Sequence, residues 1–260
     1  MKKLLLASAL VILPALSAFA ADNAWVGTWK LDLEKSQFTG NTFTILKSEN
    51  GLYHFSNGSN VGFDFGIDGK EYKTVYGRTV IWTAAGDNAW DTVRKQNGIV
   101  LANIHRQLSP DGKTLTMTET GTKPDGSTFN NENVYTRVSG SQGLIGKWKS
   151  TKARISAPDS YVVSAPSEGV MRWEIPEYKE IVEGKTDGSD LPVTGPTAPA
   201  GLTLSIKILS PTKLIYKVKV NGQLNETSIE TLSADGRTLT IVSWNPGRKS
   251  EKSTAVFIKQ

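Results

Sequence analysis

"LSPDGKTLTMT" (residues 108–118) and "LSADGRTLTIV" (residues 232–242) are two versions of one phrase, 124 residues apart. Each reads as a strand, an Asp-Gly turn and a second strand, because Asp-Gly accepts the positive φ angles of a tight hairpin. Other matches follow in the same order. Gly27-Thr28-Trp29-Lys30 answers to Gly146-Lys147-Trp148-Lys149 at an offset of 119, and Asn97-Gly98 answers to Asn221-Gly222 at 124. Asp68-Gly69 matches Asp187-Gly188, and "NVYTRV" near residue 137 matches "TAVFIK" near residue 259. The offset grows by about five, which fits the extra "TGPTAPAG" at residues 194–201. Ordered matches with one insertion imply a duplicated domain, and a period near 120 is a whole domain rather than a solenoid unit. "VSGSQG" at residues 138–143 separates the copies, giving units at 21–140 and 141–260.

Runs such as "TVIWTAA", "TLTMTET", "LTLSIKIL" and "KLIYKVKV" are rich in Thr, Val, Ile and aromatic residues, and turn dipeptides separate them. No stretch after residue 20 sustains helical periodicity over three turns. About eight short strands per half, joined by hairpins, predict an all-β chain of two tandem antiparallel up-and-down β-barrels. Closure removes exposed strand edges. An open β-sandwich is the alternative.

Residues 1–20 read as a secretory signal: Lys2 and Lys3, an apolar run from Leu4 to Leu16, then Ala18-Phe19-Ala20 before the cleavage point. The run is shorter than the roughly 18–20 residues that span a bilayer. The expected location is therefore bacterial periplasm or medium, with no integral membrane segment after cleavage. The chain has no cysteine, which excludes disulfides, thiolate metal sites and Cys nucleophiles. Lys and Arg number 12 against 13 acids in residues 21–140, and 16 against 12 in residues 141–260. These basic residues alternate with Thr, Ser and acids instead of forming a block, so no nucleic-acid partner is expected.

"WVGTWKLDLEKSQF" at residues 25–38 resembles the opening strand of the calycins, the lipocalins and intracellular fatty-acid-binding proteins. Those families begin with Gly-x-Trp, the Trp plugging one end of the barrel with a late cation beside it. Arg137 and Lys259 stand in the matching places. The resemblance implies a lipocalin-like barrel, duplicated in tandem, and a small-molecule ligand. There is no room after Phe38 for a two-helix lid, and Tyr135-Thr136-Arg137 reverses the fatty-acid-binding order. Trp29 and Trp148 are read as structural.

Little else suggests reaction chemistry. His54 and His105 are the only histidines, and no spacing provides three metal ligands. No Gly-x-Ser-x-Gly elbow is present, and "GFDFG" at residues 62–66 lacks the following helix that a phosphate loop needs. No catalytic residue, metal or cofactor is assigned.

The two copies can be used to assign each other's faces, since strand side chains alternate. Leu214, Tyr216, Val218 and Val220 share an inward face, and their counterparts are Trp90, Thr92, Arg94 and Gln96. Glu119 answers to Ser243, and Arg106 shares the inward parity of Leu108. The first unit is thus expected to turn Thr92, Arg94, Arg106 and Glu119 inward, with Trp82, Trp90 and Tyr72 as apolar walls. One reading is an Arg–Glu pairing at a barrel mouth. The other is a pocket for a small, partly apolar, anionic ligand. The functional expectation is a non-enzymatic binding protein using the first unit. A structural or surface-interaction module with solid barrels is the alternative, and a hydrolase or isomerase using His54 or His105 is the second alternative.

Overall fold

The structure, a computed structural model, describes residues 23–59, 61–157 and 159–260; the signal expected at residues 1–20 lies outside them. The first ten strands are β1 (Gly27–Leu31), β2 (Thr42–Lys47), β3 (Tyr53–Ser56), β4 (Gly62–Phe65), β5 (Glu71–Lys73), β6 (Arg78–Gly86), β7 (Ala89–Gln96), β8 (Ile99–Leu108), β9 (Thr114–Thr122) and β10 (Thr128–Gln142). The second ten are β11 (Ile145–Arg154), β12 (Ser160–Ser167), β13 (Val170–Ile175), β14 (Glu180–Lys185), β15 (Asp187–Pro192), β16 (Leu202–Ser210), β17 (Lys213–Val220), β18 (Gln223–Leu232), β19 (Thr238–Trp244) and β20 (Ser253–Lys259). Two single-turn 3-10 segments, Val75–Gly77 and Pro176–Tyr178, are the helical content of the described residues.

Two ten-stranded antiparallel sheets result, ordered β4-β3-β2-β11-β10-β9-β8-β7-β6-β5 and β14-β13-β12-β1-β20-β19-β18-β17-β16-β15. Chain neighbours are sheet neighbours nearly throughout, and the edge strands of each sheet are consecutive in the chain. Each sheet therefore curls into a near-closed barrel. The count is ten strands rather than about eight because β3, β4 and β5 have only four, four and three residues. Alternation over so few positions leaves no legible period.

One departure from sequential order reorganises the molecule. β1 lies between β12 and β20, with Trp29 opposite Tyr161 and Lys259. β11 lies between β2 and β10, with Trp148 opposite Phe43 and Arg137. The leading strand of each repeat thus closes the barrel of the other. The first barrel is an unbroken stretch, residues 42–154, while the second joins residues 160–259 to the strand from the opposite end of the chain. "VSGSQG" is the tail of β10 and its turn into β11, with Gly140 and Gly143 at positive φ. The point where the repeats divide and the point where the barrels divide, residues 155–159, are different places in the chain.

Within each barrel the repeated phrases behave alike. Ser109 Oγ donates to Asp111 Oδ1 at 2.6 Å, and Ser233 Oγ to Asp235 Oδ1 at 2.5 Å. The following N–H groups, of Lys113 and Arg237, donate to the same carboxylates at 3.0 Å. Trp29 and Trp148 are 0% exposed. Each indole donates to the carbonyl four residues earlier, Trp25 O and Leu144 O, at 3.0 Å. The glycine of Gly-x-Trp is needed for room as well as conformation: a Cβ on Gly146, at φ +141, would meet Ser139 O at 2.2 Å.

A cation covers each tryptophan. Arg137 sits 4.1 Å from the Trp148 ring and donates to Gly112 O, Ile145 O and Gly143 O at 2.6, 2.6 and 2.7 Å. Lys259 sits 5.2 Å from Trp29 and donates to Ala24 O at 3.1 Å. Three charge-assisted bonds and a ring contact make Arg137 the stronger latch. Arg137→Ala is expected to destabilise the first barrel by about 2–4 kcal/mol, and Lys259→Ala to cost the second less. Urea unfolding midpoints check both; equal losses would contradict the assignment.

Candidate functional site: a basic cavity in the first barrel

The closed end of the first barrel is filled by Phe65, Leu108, Leu115, Leu144 and Trp148. Above this plug lies a cavity of about 310 Å³. Its wall is aromatic: Phe43 stacks with Phe55 at 5.5 Å, Phe55 with Phe63 at 5.1 Å, and Trp82 with Phe65 of the plug at 4.3 Å. Room exists partly because the first barrel turns Thr92 and Ala102 inward where the second has Tyr216 and Glu226. This matches the low end of the volume range of small-molecule pockets, about 300–1,000 Å³.

Polar groups enter this apolar space at two levels. Near the plug, Arg106 lies with its guanidinium 4.0 Å from the Trp82 ring centroid and donates to Thr92 Oγ1 at 2.6 Å. No carboxylate is within ion-pair distance of Arg106 among the described residues. Burial lowers its pKa to about 10, so it remains a cation at neutral pH. Tyr135 lines the same region, its hydroxyl pKa raised by burial. The Trp82 indole N–H is buried without an acceptor, a rare condition in folded proteins.

Toward the open end, Arg94 pairs with Glu119 and Arg78 Nε donates to Gln96 Oε1 at 3.2 Å. Arg78, Arg94 and Arg106 all line the cavity, and Glu119 is tied to Arg94. The field inside is therefore positive.

The structure brings together Thr92, Trp82, Arg94 and Arg106 on the cavity wall, with Glu119 beside them. Trp90 and Tyr72 are placed elsewhere. Trp90 has the inward parity but lies one layer lower, beside Gly143 and Leu144 at the closed end. Tyr72, on a three-residue strand at the sheet edge, donates its hydroxyl to Asp68 Oδ2 at 2.9 Å. Arg78, with the parity of Val80 and Trp82, joins the wall beyond the expected residues. Tyr76, in the 3-10 turn at φ +67, carries no sequence signal.

The second barrel holds a different interior. Glu230 is 1% exposed, and its Oε1 accepts from Tyr161 at 3.4 Å while Oε2 has no partner. Glu226 Oε1 accepts from Ser228 Oγ at 3.0 Å, and Ser228 Oγ bonds Ser243 Oγ at 2.7 Å. Burial raises both carboxyls, that of Glu230 to about 8, so Glu230 is mostly protonated at neutral pH. Glu230 stands 124 residues after Arg106, so the repeat exchanges a cation for a mostly protonated acid at one interior position. The same ruler that placed Arg94 opposite Val218 could have found it.

Both histidines face outward. His54 Nδ1 meets Asp64 Oδ1 and His105 Nδ1 meets Asp91 Oδ1, each at 2.7 Å and each roughly half exposed. His105 and Asp91 line a more open groove of about 440 Å³ with Thr118 and Thr120. No cluster of three or more metal-ligating side chains occurs among the described residues. Comparison with known proteins finds no matching family model, no matching curated relative and no matching solved structure.

Proposed function

We propose that the chain is a non-enzymatic binding protein of lipocalin-like build, acting in a bacterial periplasm or the surrounding medium. Its first barrel takes a small anionic molecule with an apolar body. The observation that carries this reading is Arg106, a half-buried cation facing an aromatic cavity without a carboxylate partner. A buried charge without a counter-ion is costly, and an anionic ligand would offset that cost. The Trp82 N–H, buried without an acceptor, supplies a further donor beside it. A solid-barrel interaction module accounts for neither the cavity nor the orphan donor.

Decanoate, titrated calorimetrically against the purified protein, serves as the probe, with decanol as its uncharged counterpart. Decanoate is expected to bind well and decanol weakly. Arg106→Met is expected to weaken decanoate binding by about 10- to 100-fold, the range for losing a charge-assisted bond. Equal binding of decanol and decanoate, or an unaffected variant, would refute the proposal.

A further inference from the structure

The cavity of the first barrel borders a second one. Arg78 and Arg94, which line the first, also line this second cavity of about 300 Å³ between the two barrels. The second barrel contributes Ile175, Tyr178, Glu180 and Thr197 to this cleft. The barrels are held together around it by direct bonds. Tyr76 donates to Asn225 Oδ1 at 2.5 Å, Asp125 N to Glu177 O at 3.1 Å, and Ser59 Oγ to Pro246 O at 2.9 Å.

Six charged side chains line the cleft, and four are paired with each other. Lys123, whose side chain is 3% exposed, meets Asp159 at 2.6 Å, and Arg94 meets Glu119. The remaining two are Arg78 of the first barrel and Glu180 of the second. Neither has an ion-pair partner among the described residues. Arg78 spends its Nε on Gln96, and Glu180 Oε1 accepts from the buried Thr197 hydroxyl at 3.3 Å. Glu180 Oε2 and the two terminal nitrogens of Arg78 have no bond within the protein among the described residues. Partial burial disfavours the charged form of both groups. An acceptor and a donor, unspent and supplied by different barrels, thus border one wet space at the mouth of the binding cavity.

We infer that the ligand is bifunctional, and that a neutral donor–acceptor group at its outer end, a hydroxyl or primary amide, is held between Arg78 and Glu180. This rests on the reading of the first barrel as an anion site, and it extends the site into the second barrel. Arg78 offers N–H groups to the ligand oxygen, and Glu180 accepts the ligand's O–H or N–H. Along β7, Thr92 under Arg106 and Gln96 under Arg78 are four residues apart, roughly 13 Å at about 3.3 Å per residue. That separation suits a medium-chain acid carrying its second polar group at the far end. The second barrel then reads the tip of a ligand whose body lies in the first.

The test compares decanoate with 10-hydroxydecanoate on one preparation, so that the ratio of affinities is independent of the fraction folded. The intact protein is expected to prefer 10-hydroxydecanoate about tenfold. Glu180→Ala should bring the ratio to within about twofold of one. A ratio of one in the intact protein, or a preference that survives Glu180→Ala, overturns the inference. If the ratio is one while Arg106→Met still weakens binding of both acids about 10- to 100-fold, the anion site stands and only its extension falls. If neither acid binds the intact protein, both are wrong.

Discussion

Deleting residues 23–38 is expected to unfold the second barrel while leaving the first folded and able to bind decanoate. The deletion removes β1 from its place between β12 and β20 and takes Trp25 and Trp29 out of the second barrel's core. Losing one buried tryptophan side chain costs about 3–5 kcal/mol. Two such losses, together with two newly opened strand edges, match or exceed the roughly 5–15 kcal/mol that holds a domain folded. The first barrel loses no strand, because residues 42–154 contain all ten of its own. Calorimetry should show one unfolding transition instead of two, and limited proteolysis should leave a fragment ending near residue 155. A peptide covering residues 23–38, added back, should restore the missing transition. The opposite result is well defined. If β11 moved to fill the vacancy beside β12, the first barrel would open and decanoate binding would be lost.

Stability is also expected to fall between about pH 4.5 and pH 8, with Glu230 as a principal cause. Its folded-state pKa is raised from 4.5 to about 8 by burial. Below pH 4.5 the carboxyl is neutral in both folded and unfolded chains and has no effect on the balance. Above it the unfolded chain ionises while the folded chain does not, so the unfolded state gains free energy as pH rises. One group of this kind changes stability by at most about 1.4 kcal/mol per pH unit, several kcal/mol across the window. Glu226, raised for the same reason, acts in the same direction. Tyr161, Tyr216, Ser228 and Ser243 surround the two carboxyls, and no cation lies within ion-pair distance of either among the described residues. Glu230→Gln keeps an acceptor for Tyr161 and removes the titration. Its urea midpoint should change less between pH 5 and pH 8 than that of the parent, and exceed it at pH 8. A variant with the parent's full pH dependence would show that Glu230 is not the source.

The architecture was legible because the repeat supplied two readings of one pattern. The Asp-Gly and Asn-Gly turns, the Gly-x-Trp strands and the late cations all fall where their residue types require. Strand exchange was not legible, since β1 and β11 carry equivalent patterns and either satisfies either barrel. What separates the outcomes is connection: β11 follows β10 through a tight turn, whereas ten residues separate β1 from β2. Arg94, Arg106, Thr92 and Trp82 could be placed by parity, as their strands are long and regular up to the register shift after Arg94. Parity gives the face but not the depth: by parity Trp90 is a wall residue, and the structure puts it at the floor beside Gly143 and Leu144. Glu180 could not have been found this way, because its role depends on how one barrel meets the other.

The meeting of the two repeats, where Gln260 N donates to Thr28 O at 2.9 Å, sets an order of assembly. Over 200 residues separate β1 from β20, so β1 makes the longest-range pairing in the molecule and carries the largest loop-closure entropy cost. The first barrel closes within residues 42–154 and needs no such contact. A folding chain therefore passes through a state with a finished compartment and, beside it, a tryptophan-bearing strand with no sheet to join.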